Sequence, residues 1–118
     1  MTNKIRVGIT HGDTNGIGYE LILKAFDNLD IFDLFTPIVY GSDKVASYHR
    51  KMLDLNTGWH TIDRAEDAQD DRLNLVDVVG DEEVKIELGR PSPEAGRMAR
   101  RALEAAVADI KRGAIDTL

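Results

Sequence analysis

Apolar positions along the chain switch repeatedly between the period of a strand and the period of a helix. Ile5, Val7 and Ile9 alternate as in a half-buried strand. Ile17, Leu21, Ile22 and Ala25 then recur at helical spacing, which predicts a helix from Ile17 to about Asp27. Thr36-Pro37-Ile38-Val39-Tyr40 reads as a second strand stopped by Gly41. Ser42 is placed to cap a helix carrying the stripe Val45, Tyr48, His49, Met52 and Leu53. Trp59 to Ile62 is a weaker strand, and the acidic stretch Asp63 to Arg72 reads as a surface loop or short helix.

Leu73 to Val79 is strand-like and Gly80 to Glu83 is a turn. Val84, Ile86 and Leu88 alternate with charged residues, predicting a half-exposed strand or hairpin. The last helix is marked most clearly. Ser92 suits its N-cap, Pro93 its first turn and Glu94 the positive end of its dipole. Ala95, Met98, Ala99, Ala102, Leu103, Ala106, Val107 and Ile110 make a continuous stripe, and Gly113 is a C′ residue. Helices between strands, with one hairpin, imply an α/β protein: a mainly parallel, mixed sheet with helices on both faces. Residues 1–118 form one α/β lobe on this reading. A helix ending in Gly113 and leading into Ile115 is how a βαβ unit enters its next strand, so Leu118 is expected to be a truncation point.

Composition narrows the class. With 118 residues the chain builds one core, and 42% hydrophobic with 31% charged residues is the make-up of a soluble globular protein. A net charge of −6 argues against a nucleic-acid surface, which needs clustered Lys and Arg. The absence of cysteine removes disulfides and thiol chemistry. No apolar run approaches the ~20 residues that cross a bilayer and no signal peptide opens the chain, so no membrane partner and a cytoplasmic location are expected.

Candidate chemistry concentrates in the turn between the first strand and the first helix, Thr10-His11-Gly12-Asp13-Thr14-Asn15-Gly16-Ile17-Gly18. Such a turn brings backbone N–H groups and a helix N-terminus to the C-terminal edge of a parallel sheet. Gly12, Gly16 and Gly18 are spaced G-x-x-x-G-x-G, which is neither the dinucleotide fingerprint nor a P-loop, and no acid ends the second strand at Tyr40-Gly41-Ser42. Asp13 would repel a phosphate beside it. It suits a ligand hydroxyl, an amine, a metal-bound water or backbone N–H groups. On pattern alone Asp13 and Asn15 serve at least as well as turn and cap residues. Glu20 reads as a dipole or surface-pair residue. Arg97, Arg100 and Arg101 read as a solvated helix face.

Thr10-x-Gly12-Asp13-x-x-Gly16-Ile17-Gly18-x-Glu20 resembles the N-terminal signature of the 4-hydroxythreonine-4-phosphate dehydrogenase family of pyridoxal phosphate biosynthesis. The likeness continues through Ile22-Leu23-Lys24-Ala25, Pro37 to Ser42, Gly89-Arg90-Pro91-Ser92, Ala95-Gly96 and Ile115 to Leu118, and is thinnest between Asp54 and Glu87. Thr14-Asn15 stands where the family has Pro-Ala, and Tyr19 where it has Pro. Two lost prolines loosen the turn, while Asn15 and Tyr19 add polar groups near the cleft.

The resemblance implies the N-terminal lobe of an isocitrate/isopropylmalate dehydrogenase-like fold, within a longer two-domain chain. It implies NAD, a divalent metal and a homodimeric site. The substrate is a phosphorylated hydroxy acid, 4-phosphooxy-threonine or a related four-carbon acid, oxidised with decarboxylation. Gly12, Asp13, Asn15, Gly16 and Gly18 are expected to line one wall of the cleft, and His11 is a further candidate to face a ligand. The family's metal-binding histidines lie beyond this chain and match none of His11, His49 and His60, so no metal ligand and no catalytic group is assigned here, and the chain alone is expected to be inactive. The rival from another class is a non-catalytic flavodoxin-like or receiver-like binding module. Only Asp13 and Asp63 fit a receiver's acids, and the matching Lys is lacking.

Overall fold

Four strands, β1 (Arg6–Thr10), β2 (Thr36–Gly41), β3 (His60–Ile62) and β4 (Asn74–Asp77), pair side by side in the order β1-β2-β4-β3. The computed structural model describes residues 4–12, 14–80, 90 and 92–118. Every pairing between these strands is parallel, with Ile9 opposite Val39, Val39 opposite Leu75 and Thr61 opposite Leu75. The expected hairpin at Val84, Ile86 and Leu88 lies outside the described residues, and with it the antiparallel part of the mixed sheet.

Alternation along the strands sends side chains into two cores. Val39 and Leu75 pack with Tyr19, Ile22, Phe26, Val45 and Ala46 under the helices α1 (Gly18–Ala25) and α2 (Asp43–Met52). Ile38, Tyr40 and Val76 pack with Ala102, Ala106 and Ile115 beneath α3 (Pro93–Lys111). Small alanines let α3 lie close on β1 and β2. At Gly8 of β1 a Cβ would come within 2.5 Å of the Ile115 side chain, so a glycine is needed there.

The helix ends follow from local chemistry. The Ser42 and Ser92 hydroxyls accept from Val45 N–H and Ala95 N–H, each satisfying an orphan donor of the first turn. Gly113, at φ +79°, closes α3 in a Schellman arrangement, with Ala114 N–H donating to Asp109 C=O. Asp54 closes α2 the same way at φ +54°, a left-handed position that glycine occupies without strain. Beyond Gly113 the chain runs beside β1. Val7 and Thr117 form a parallel bridge, and Gly8 N–H donates to Thr117 C=O at 2.8 Å, as expected of a strand beginning near Ile115.

Two stripes sit differently from the expectation. On α1 the inward residues are Tyr19, Ile22 and Leu23, while Ile17 and Leu21 are 67% and 60% exposed. The helix is rotated by about a third of a turn from the reading that started at Ile17, with Ile22 common to both stripes. On α2, Val45, Ala46 and His49 face inward and Tyr48 and Met52 outward. Leu103, Val107 and Ile110 of α3 also lie on its open side. Among the described residues, 3-10 turns at Leu29–Asp33 and Ala65–Asp67 lie in the connections. Ala65 is fully buried, so the acidic stretch is anchored at that point.

Candidate functional site

The β1–α1 turn emerges at the C-terminal edge of the sheet, where α/β proteins hold their ligands. Asp13 lies outside the described residues. Gly12 has φ +68° and open space where a Cβ would stand, so conformation and not crowding selects glycine there. Gly18 is different. A Cβ there would come within 2.6 Å of the His11 carbonyl oxygen, so its missing side chain faces the interior. Asn15 is buried, and its amide donates to Arg90 C=O at 2.9 Å and to the Ser92 hydroxyl at 3.3 Å. That amide ties the turn to the start of α3.

His11 points inward and both ring nitrogens are occupied. Nε2 is 3.0 Å from the Met98 carbonyl oxygen, which only accepts, so Nε2 carries the proton. Nδ1 is then an acceptor, and the Tyr19 hydroxyl donates to it at 2.7 Å. The same phenol oxygen accepts Ser42 N–H at 2.9 Å. Burial pushes the imidazole below the usual histidine range, partly offset by the Met98 carbonyl and by the Asp77 carboxylate. Burial also drives the Tyr19 phenol up, opposed by Ser42 N–H and assisted by Asp77 and Asp43. Tyr19 is therefore a neutral hydrogen-bonded core residue and not a polar group of the cleft, which corrects the expectation for that position.

His49 stacks on Tyr19 at 5.2 Å between ring centroids and donates from Nε2 to Thr14 C=O at 2.9 Å. The Thr14 hydroxyl is buried and has no hydrogen-bond partner among the described residues. His60 lies half-buried in the edge strand β3. Glu20 pairs with Lys24 at 2.9 Å across one helical turn, the surface role expected of it.

The helices that follow β2 and β4, α2 and α3, pack on opposite faces of the sheet, which makes the space between the C-terminal ends of these strands the topological switch point. Sequence reasoning missed the residue that fills it. Asp77 accepts Asp43 N–H with one oxygen and the N–H groups of Val79 and Gly80 with the other. Asp43 accepts the Trp59 indole N–H at 2.7 Å and the Thr61 hydroxyl at 3.1 Å. Both acids spend these acceptors on the protein itself. An acid closing an apolar strand just before Gly80 was the available sign.

A shallow groove of about 250 Å³ adjoins the turn, lined by Asn15, Gly16, Ile17 and Glu20 on one side and His49, Met52 and Leu53 on the other. Its lining is mainly apolar, and its volume is below the ~300–1,000 Å³ of sites that enclose a whole ligand. At the N-terminus of α1 above it the N-cap residue is Ile17, whose apolar side chain makes no capping hydrogen bond. The groove is too small to enclose a dinucleotide. Among the described residues no three His, Cys, Asp or Glu side chains could hold a metal ion, and none of their helices is long and apolar enough to cross a membrane.

Comparison with known proteins gives this geometry a context. The family model of pyridoxal phosphate biosynthetic protein PdxA matches residues 33–118. The glycine turn precedes that span. It falls within the match to 4-hydroxythreonine-4-phosphate dehydrogenase of Bacteroides thetaiotaomicron, which is 49% identical over 116 residues, 98% of this chain and 32% of the relative. The enzyme of the same name from Aquifex aeolicus is 34% identical over 110 residues, 93% of this chain and 33% of the relative. The chain thus spans about a third of the length of these curated relatives. A crystal structure of a 4-hydroxythreonine-4-phosphate dehydrogenase from Burkholderia phymatum superposes with a TM-score of 0.85 at 23% identity, over 97% of this chain and 35% of that one. That likeness bears on the fold, which is the expected α/β architecture with helices on both faces of a parallel sheet.

Proposed function

The chain belongs to the PdxA family of pyridoxal phosphate biosynthetic proteins, and from that premise we propose that it supplies one wall of the active-site cleft of an NAD-linked dehydrogenase. The reaction is oxidation of the alcohol of 4-phosphooxy-threonine. Hydride passes to NAD, a proton is released, and the resulting β-keto acid loses carbon dioxide. The observation that carries this reading is the 49% identity to a 4-hydroxythreonine-4-phosphate dehydrogenase along nearly the whole chain, glycine turn included. The turn stands at the C-terminal edge of the sheet, with open space beside Gly12 and the start of α1 behind it.

In this reading Gly12, Asp13, Asn15 and Gly16 border substrate or nicotinamide. Gly18 lets the turn close on His11, and His11 supports it from inside. The divalent metal supplies Lewis-acid chemistry to the whole enzyme, but the described residues do not fit it and no step is assigned to it on this chain. The small volume of the groove supports a cleft completed by residues outside these 118. The whole enzyme on this proposal is a longer two-domain, homodimeric, cytoplasmic protein.

The test compares the 118-residue chain with the full-length polypeptide that carries it. Each is supplied with NAD, a divalent cation and 4-phosphooxy-threonine and followed by NADH absorbance. Turnover by the long polypeptide and none by the chain alone is expected. Turnover by the pure chain overturns the shared cleft, and an inactive long polypeptide overturns the substrate class.

A further inference from the structure

We infer that His11 and Tyr19 form a proton-operated latch on the glycine turn: the tie that joins the end of β1 to α1 and the start of α2 holds only while His11 is neutral, and acid releases it while the bonds of His49 to Thr14 and of Asn15 to Arg90 stay in place. The inference stands on packing and does not depend on the substrate. Ser42 N–H donates to the Tyr19 oxygen, the phenol donates to His11 Nδ1, and Nε2–H donates to the Met98 carbonyl. Every donor in this chain points the same way, so each group is satisfied once. The chain crosses from the start of α2 through α1 and the end of β1 to α3.

A second proton on the imidazole lands on Nδ1 and sets two donors head to head. The phenol must then turn its hydrogen away from Nδ1, the acceptor it has among the described residues. Tyr19 is 1% exposed, and its oxygen is packed so closely on Gly41 that a Cβ there would clash with it. A buried donor without a partner and a buried imidazolium both destabilise this arrangement. The charged and titratable groups around the pair do not relieve it. From α1 comes the Tyr19 phenol itself, from α3 the Met98 carbonyl, and from α2 Asp43 and the stacked ring of His49. From the end of β4 comes Asp77, whose oxygens already accept from Asp43, Val79 and Gly80. Burial lowers the affinity of His11 for the second proton, so the latch stays shut near neutrality and opens below the ordinary 6.5.

The experiment is a pH titration of the ¹⁵N-labelled chain from pH ~8 to ~5, reading the histidine ring nitrogens and backbone amide exchange together. His11 should be the Nε2–H tautomer at high pH and titrate below free histidine. In step with it, exchange at His11 and Ser42, whose N–H groups donate to Tyr40 C=O and to the Tyr19 oxygen, should rise by about tenfold or more beyond the intrinsic pH effect, while Ile38 and Val39 stay protected. Tyr19→Phe should give fast exchange in the turn already at high pH. His11→Gln, whose amide both donates and accepts but does not titrate, should hold the turn at all these pH values. The inference is overturned by a His11 that titrates without change in the turn, by an Nδ1–H tautomer, or by core and turn amides opening together. It is equally overturned if His11→Gln keeps the pH dependence.

Discussion

The Nδ1 atom of His11 lies 2.7 Å from the phenol oxygen of Tyr19, and the two rings meet edge to face at 5.5 Å between centroids. One residue comes from the end of β1 and the other from the first turn of α1. Their contact sets the shape of the glycine turn between them. A cleft wall built on such a pair is held by its interior side, leaving the outer side for a ligand.

Removing the phenol hydroxyl strips His11 Nδ1 and Ser42 N–H of a partner at once. Tyr19→Phe is expected to lower stability by about 1–3 kcal/mol. Urea unfolding should show a lower midpoint at unchanged slope.

The glycines of the chain should separate by the reason each is glycine. Gly18→Ala drives a Cβ toward the His11 carbonyl and should cost roughly 1–3 kcal/mol, because backbone must move. Gly96 sits exposed inside α3 with open space around it, and Gly96→Ala should raise stability by up to ~1 kcal/mol. Thermal melts of both variants check the pair of opposite signs.

The buried hydroxyl of Thr14 has no partner among the described residues. Thr14→Val, which keeps the shape and drops the hydroxyl, should be neutral or stabilising by about 1 kcal/mol at most. A loss larger than that in denaturant titration would show that the hydroxyl is bonded after all.

Stability should also fall on acidification in two separate windows. His11 is harder to protonate folded than unfolded, so below 6.5 the unfolded chain binds more protons and stability declines as pH drops toward the lowered folded value. Glu66 is held near pKa 2 by its fork with Arg112, at 2.7 and 2.8 Å, against an ordinary 4.5. Its contribution is present above 4.5 and disappears as pH falls toward 2. That pair is solvent-exposed and therefore sensitive to salt. Chemical denaturation across pH should show the first decline lost in His11→Gln, with the second reduced by salt.

Elements with redundant local marks were legible in the sequence. Ser92, Pro93, the alanine stripe and Gly113 each mark α3 independently, and the buried strands announce themselves as apolar runs. The phase of α1 was not legible, because Ile17, Leu21, Ile22 and Ala25 and the true stripe Tyr19, Ile22, Leu23 and Phe26 have the same period. Only tertiary packing chooses between them. Tyr19 was placed in the cleft for the same reason: a tyrosine standing for a proline looks polar until the helix is turned to bury it. Asp77 escaped notice because a carboxylate that accepts only backbone N–H groups has no spacing motif. The position of the glycine turn was legible, since strand, turn and helix were all correctly bounded there. That Gly18 serves internal packing became visible only in three dimensions.

On the proposed function, the outer side of this turn borders reacting ligand. Steady-state kinetics of the full-length polypeptide carrying Asp13→Asn or Asn15→Ala, with Gly96→Ala as the control away from the cleft, reads this. NADH formation from 4-phosphooxy-threonine should lose about tenfold or more in kcat/KM for the two turn variants, a transition-state deficit of ~1.4 kcal/mol or more, with the control unchanged. Wild-type kcat/KM in folded Asp13→Asn and Asn15→Ala enzymes would place the turn outside the cleft.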